Sequence, residues 1–169
     1  GISQVSRGIA WRKARSHMLT PEFPDVAQSQ PPEKNGGLHQ FIGALESDPD
    51  DPKLIDGIAE LIAARDQQRL GDDPERQLEL AQKEHEQRGE YATVARLIEA
   101  ELPLVVSDGT HTAALFKELG RLRAEFLLDP AGAKEAYEQA LSRKPGDPES
   151  EDALRRLSQA ETSWKKHAK

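Results

Sequence analysis

A chain of 169 residues can form one domain with a real core or a short helical array. An apolar fraction of 36%, a charged fraction of 31% and a mean hydropathy of −0.73 call for much surface per buried volume, which favours an elongated helical protein over a compact sphere. The absence of cysteine excludes disulfides and zinc-finger chemistry, and no run approaches the roughly 18 apolar residues that a bilayer span needs.

The first residues lack the continuous apolar stretch of a secretion signal, so a soluble, cytoplasmic protein is expected. Charge is unevenly placed. Residues 1–20 carry Arg7, Arg12, Lys13 and Arg15 and no acid, which leaves 19 basic and 30 acidic side chains, about −11, on the rest of the chain of net charge −7. An acidic body repels phosphate backbones, so nucleic acid is not an expected partner; a basic protein or peptide is.

In chain order, residues 1–18 form a basic N-terminal peptide. Ile2, Val5 and Ile9 would share one side of a short helix, and Trp11 and Arg12 complete a candidate peptide anchor. His17-Met18 with Glu22-Phe23 also resembles a cloning remnant, in which case residues 1–23 say nothing of native function. Residues 19–37 contain Pro21, Pro24, Pro31 and Pro32 and read as a linker. Residues 38–169 form the expected helical domain.

Within that domain Asp-Pro recurs at 51–52, 73–74, 129–130 and 147–148. Asp accepts hydrogen bonds from the free amides of a first helical turn, and Pro at the next position has no amide to leave unpaired. With apolar spacing of three and four, these signals predict helices near 38–47, 52–70, 74–88, 90–106, 110–128, 130–143 and 148–165. Thr110 is the expected cap of the fifth, and Pro103 is expected to bend or end the fourth. No stretch alternates as a strand does, so the expected class is all-α with about seven helices.

Short connections turn successive helices back on one another. In 75–108, Leu80 and Ala81 precede the turn Gly89-Glu90-Tyr91, and Val94, Ile98 and Leu102 follow it. In 114–147, Asp129-Pro130 marks the turn, followed by Ala133, Tyr137, Ala140, Leu141 and Pro145. Both segments are 34 residues long. They resemble the tetratricopeptide repeat, a 34-residue helix-turn-helix unit with small and aromatic residues at set positions and a late proline. Five residues, 109–113, separate the two segments, Leu119-Gly120 lies one position early for the family pattern, and Val106 stands where the late proline would be.

The resemblance implies a TPR-like α-solenoid, a right-handed stack of antiparallel helix pairs, in which Pro148–Lys169 supplies a further first helix and residues 36–70 a degenerate opening pair. It also implies a protein-protein interaction module, an adaptor or scaffold, that holds a peptide or helix in a concave groove. Carried over position by position, the groove would present Arg76, Glu79, Lys83, Glu86, Glu118, Leu122, Glu125, Asp152 and Arg156. Its acidic majority implies a partner with basic residues, and residues 1–15 of the same chain would fit that description. The alternative is a structural or regulatory fragment of a longer helical scaffold that self-associates.

Catalysis has less support. His17, His39, His85, His111 and His167 are scattered, with no pair at helical metal-site spacing. The carboxylates read as caps and solvated helix faces, and His85 is expected to be solvent-facing or partly packed. Tyr91, Phe116, Phe126, Tyr137 and Trp164 lie on apolar stripes and are expected in the core. No catalytic residue, metal or cofactor is assigned, no enzyme activity is expected, and no membrane insertion is expected.

Overall fold

A computed structural model describes the backbone of residues 36–167 and the side chains of residues 36–163. Its elements are α1 (Leu38–Leu45), α2 (Pro52–Ala64), α3 (Gln67–Leu70, a single turn), α4 (Pro74–Gln87), α5 (Tyr91–Val105), α6 (Gly109–Glu125), α7 (Pro130–Arg143) and α8 (Pro148–His167). The described chain is all-α, with seven helices of two turns or more. The basic peptide, with Ile2, Val5, Ile9, Trp11 and Arg12, and all but the last two residues of the linker lie outside the described residues.

All four Asp-Pro pairs start helices at their proline. Asp51 accepts from the Lys53 amide, Asp73 from Arg76, Asp129 from Gly132, and Asp147 from Ser150. Asp147 also accepts from the Ser150 hydroxyl at 3.0 Å and pairs with Lys144 at 3.1 Å. These contacts, Lys144 first, hold its carboxyl below the usual range despite burial.

Two local expectations need correction. The stretch 52–70 is two helices, because Arg65 takes a left-handed conformation, φ 51°, and Asp66 then caps the one-turn α3. The cap of α6 is Asp108, whose carboxylate accepts from the amides of Thr110 and His111 at 3.0 Å; Thr110 is the second residue of the helix. Pro103 lies inside α5, which runs on two residues to Val105.

Sequential helices pack in pairs: α1 with α2, α4 with α5, and α6 with α7. The pairs are then joined, since α5 packs on both α2 and α6, α1 touches α4, and α7 packs on α8. Two apolar clusters result, and α5 divides its side chains between them. Leu97 and Ala100 join Leu38, Leu45, Ile58, Leu61 and Leu78. Val94, Ala95, Ile98 and Val105 join Leu115, Leu119, Leu122 and Ala136.

Two glycines set how closely helices meet. A Cβ at Gly57 in α2 would overlap the ring of Phe41 in α1, and one at Gly120 in α6 would lie 2.9 Å from the Tyr137 ring in α7. The connection from α6 to α7 contains Leu128 at φ 53°, 84% exposed. Of the aromatic residues expected in the core, Tyr137 is buried, Tyr91 and Phe116 are partly buried, and the Trp164 side chain lies outside the described residues. Phe126, expected in the core, is exposed on one side and stacks on Tyr91 with ring centroids 3.7 Å apart.

Candidate functional site

Between α6, α7 and α8 lies a cleft of about 470 Å³. Its floor is apolar and small, made by Ala124 of α6, Tyr137 of α7, and Ala153 and Leu157 of α8. The walls carry Lys117, Glu118, Arg121 and Glu125 on α6, and Glu149, Asp152 and Arg156 on α8. Gly120 makes this geometry possible, because its missing side chain lets α7 bring Tyr137 against α6. The Asp147 cap fixes the start of α8 beside it.

One end of the cleft is crossed by an ion pair, Lys117 Nζ to Glu149 at 2.6 Å, with Asp147 at 3.9 Å from the same nitrogen. The bond to Glu149, above all, raises the affinity of the Lys117 amine for its proton. Along the α6 wall Arg121 is the hub. Its guanidinium bonds Glu118 through both Nε (2.9 Å) and Nη2 (2.5 Å), reaches Glu86 of α4 at 2.9 Å, and lies 3.5 Å from Glu125. It also stands over the Phe126 ring, 5.5 Å from the centroid. A two-point carboxylate pair on a planar guanidinium is the strong form of this interaction. Glu118 first, then Glu86, hold Arg121 more firmly protonated than usual. On the α8 wall Asp152 pairs with Arg155 and, at 2.5 Å, with Arg156.

Of the residues expected at a groove, Glu118, Glu125, Asp152 and Arg156 border this cleft, and Glu86 joins them through Arg121. Arg76, Glu79 and Lys83 stand on the exposed face of α4, away from the cleft, where Lys83 bonds Glu79 at 2.7 Å. That bond, before the charge effect of the same lysine, lowers the Glu79 carboxyl below its ordinary range.

Leu122 requires correction. It is fully buried in the cluster formed with α5 and has no surface to offer a partner. The cause is the one-position offset at Leu119-Gly120: the wall place assigned to Leu122 is held by Arg121, and Ala124 and Lys117 follow the same shift. The spacing Glu118, Arg121, Glu125, an i, i+3 and i, i+4 pattern about one cation, is the signal that could have identified the hub.

The charged side chains of the walls are paired with one another within the chain. Two buried titratable groups lie elsewhere. His85, expected at or near the surface, is 1% exposed, with Nδ1 2.5 Å from the Glu90 carboxylate. Glu101 of α5 is equally buried, accepts from Gln82 of α4 at 2.5 Å and lies 3.6 Å from His111 of α6. Among the described residues no group of three or more His, Asp or Glu could hold a metal ion. Also among them, no helix is long and apolar enough to cross a membrane.

Burial raises the Glu101 carboxyl above its ordinary range, the Gln82 bond and His111 oppose this, and the nearby Glu75 and Glu79 add to it. A carboxyl that binds its proton more tightly when folded contributes most below the unfolded value, about 4.3. That contribution is lost as pH rises through the folded value. Glu101→Gln, which retains an acceptor for Gln82, is therefore expected to melt above the unchanged chain at pH 7. The gap should close toward pH 4, where Glu101 is neutral, as read by thermal melts across that range.

Compared with protein-family models, curated proteins and solved structures, the chain has no match.

Proposed function

We propose that the protein is a protein-protein interaction module of tetratricopeptide type that seats a peptide or helix in the cleft between α6, α7 and α8. The observation that carries this reading is the cleft's composition, an open apolar floor of two alanines, a leucine and a tyrosine between two walls of paired charge. Small floor residues leave room for a partner's larger side chains, and flanking ion pairs can set its orientation. The repeat assignment is supported by paired helices joined in sequence and by the contact of Gly120 with Tyr137.

Selection of binders from a displayed peptide library against the immobilised full chain tests the site. Peptides that use the cleft should lose at least about tenfold in affinity for Ala153→Trp, which fills the floor, while the variant keeps its thermal melt. Undiminished binding would move the site elsewhere, and a library without binders would remove the reading.

A self-associating scaffold is the second reading, favoured by the exposed stretch Ser158–Ser163 of the long helix α8. Light scattering over a range of concentrations separates the two, since a constant monomer mass contradicts self-association.

A further inference from the structure

The lining of the cleft stops at Glu125 on α6 and at Leu157 on α8, yet α8 continues over residues 158–167. Of these, Ser158–Ser163 are all exposed. At the rise of an α-helix this overhang is about 15 Å long, and the cleft, from Glu149 to Leu157, is about 12 Å long. The same helix therefore builds one wall of a cleft and extends a rod of matching length beyond it.

The two halves of α8 also complement each other. Ala153, Leu157, Ala160 and Trp164 recur at steps of four, three and four, so these positions share one face of the helix. That spacing reads the same in both directions. In an antiparallel pair of α8 helices, position 160 of one therefore faces Leu157 of the other, and position 164 faces Ala153, a large residue against a small one in each layer. The same register brings Lys165 and Lys166 of one copy beside Glu151 and Asp152 of the other. The cleft suits a basic arrival, since its lining holds Glu118, Glu125, Glu149 and Asp152 against three cations.

We propose that the helix seated in the cleft is α8 of a second copy of this chain, laid antiparallel so that residues 158–167 of each copy occupy the cleft of the other. The two-fold axis passes near Ser158 and Gln159. This rests on the cleft reading above and names the partner. The exchange is reciprocal, so both overhangs and both clefts are covered at once and no open end remains to recruit a third copy.

Sedimentation equilibrium of the full chain from micromolar to millimolar concentration should show a monomer–dimer equilibrium. Ala153→Trp, which fills the floor, and Trp164→Ala, which removes the large residue facing it, should each raise the dimer Kd at least about tenfold, with the melt of the dilute monomer unchanged. Lys165→Glu together with Lys166→Glu should weaken the dimer at low ionic strength. Mixing that chain with one carrying Glu151→Lys and Asp152→Lys should restore it, because each acidic end then meets a basic start. In a parallel pair the lysines would face each other, and their reversal would exchange one repulsion for another.

A monomer at every concentration overturns the inference, and so does an open series of larger assemblies. A dimer indifferent to Ala153→Trp, or unmoved by the lysine reversal, places the contact elsewhere and overturns it as well. The cleft reading is judged separately: it stands if library-selected peptides bind and respond to Ala153→Trp, and falls if they do not.

Discussion

Leu122→Ala lowers the free energy of unfolding by about 3 kcal/mol, an expected result measurable by urea denaturation. The side chain is fully buried between α6 and α5, among Val94, Ile98, Leu115 and Leu119, so its removal loses both transfer free energy and packing. A leucine that served a partner from the surface would behave differently, costing binding and little stability. Leu128, 84% exposed, supplies that contrast: Leu128→Ala should change stability by less than about 0.5 kcal/mol. A small effect at Leu122 would contradict the way α6 is seated.

Gly57→Ala is the second large effect, and its sign runs against helix propensity. Alanine at an interior helical position gains about 1 kcal/mol over glycine. Here the added carbon would overlap the ring of Phe41, which is itself buried, and overpacking of a core costs about 1–3 kcal/mol. The expected outcome is a net loss of up to about 2 kcal/mol by the same denaturation measurement. A double-mutant cycle with Phe41→Leu provides the check, because the smaller side chain should recover part of the loss. A stabilised Gly57→Ala chain would mean that α1 does not lie against α2 at this point.

Much of the fold was legible because its punctuation is local. An Asp-Pro pair carries both the cap acceptor and the amide-free first residue, and all four mark helix starts. The break at Arg65 was not, since arginine has no preference for left-handed backbone, and the contacts that follow it, the Asp66 cap and the burial of Leu70, carry no local sequence signal at Arg65 itself. The cleft was half legible. Glu118, Glu125, Asp152 and Arg156 were placed near one another by repeat spacing alone. Leu122 was misplaced, and Arg121 missed, because a single position of slippage at Gly120 turns the helix by about 100° and exchanges a wall residue for a core residue. The slippage is invisible until Tyr137 is seen against Gly120. His85 illustrates a second limit: its burial depends on Glu90 folding back as its partner across the α4–α5 turn.

The division of α5 between two apolar clusters bears on how the molecule comes apart. Neither α1–α4 nor α6–α7 can shed its neighbour while keeping its own lining complete, because each borrows one side of the same rod. Loosening either end therefore unroofs the other, and heat should melt the whole chain in a single cooperative step rather than one hairpin at a time.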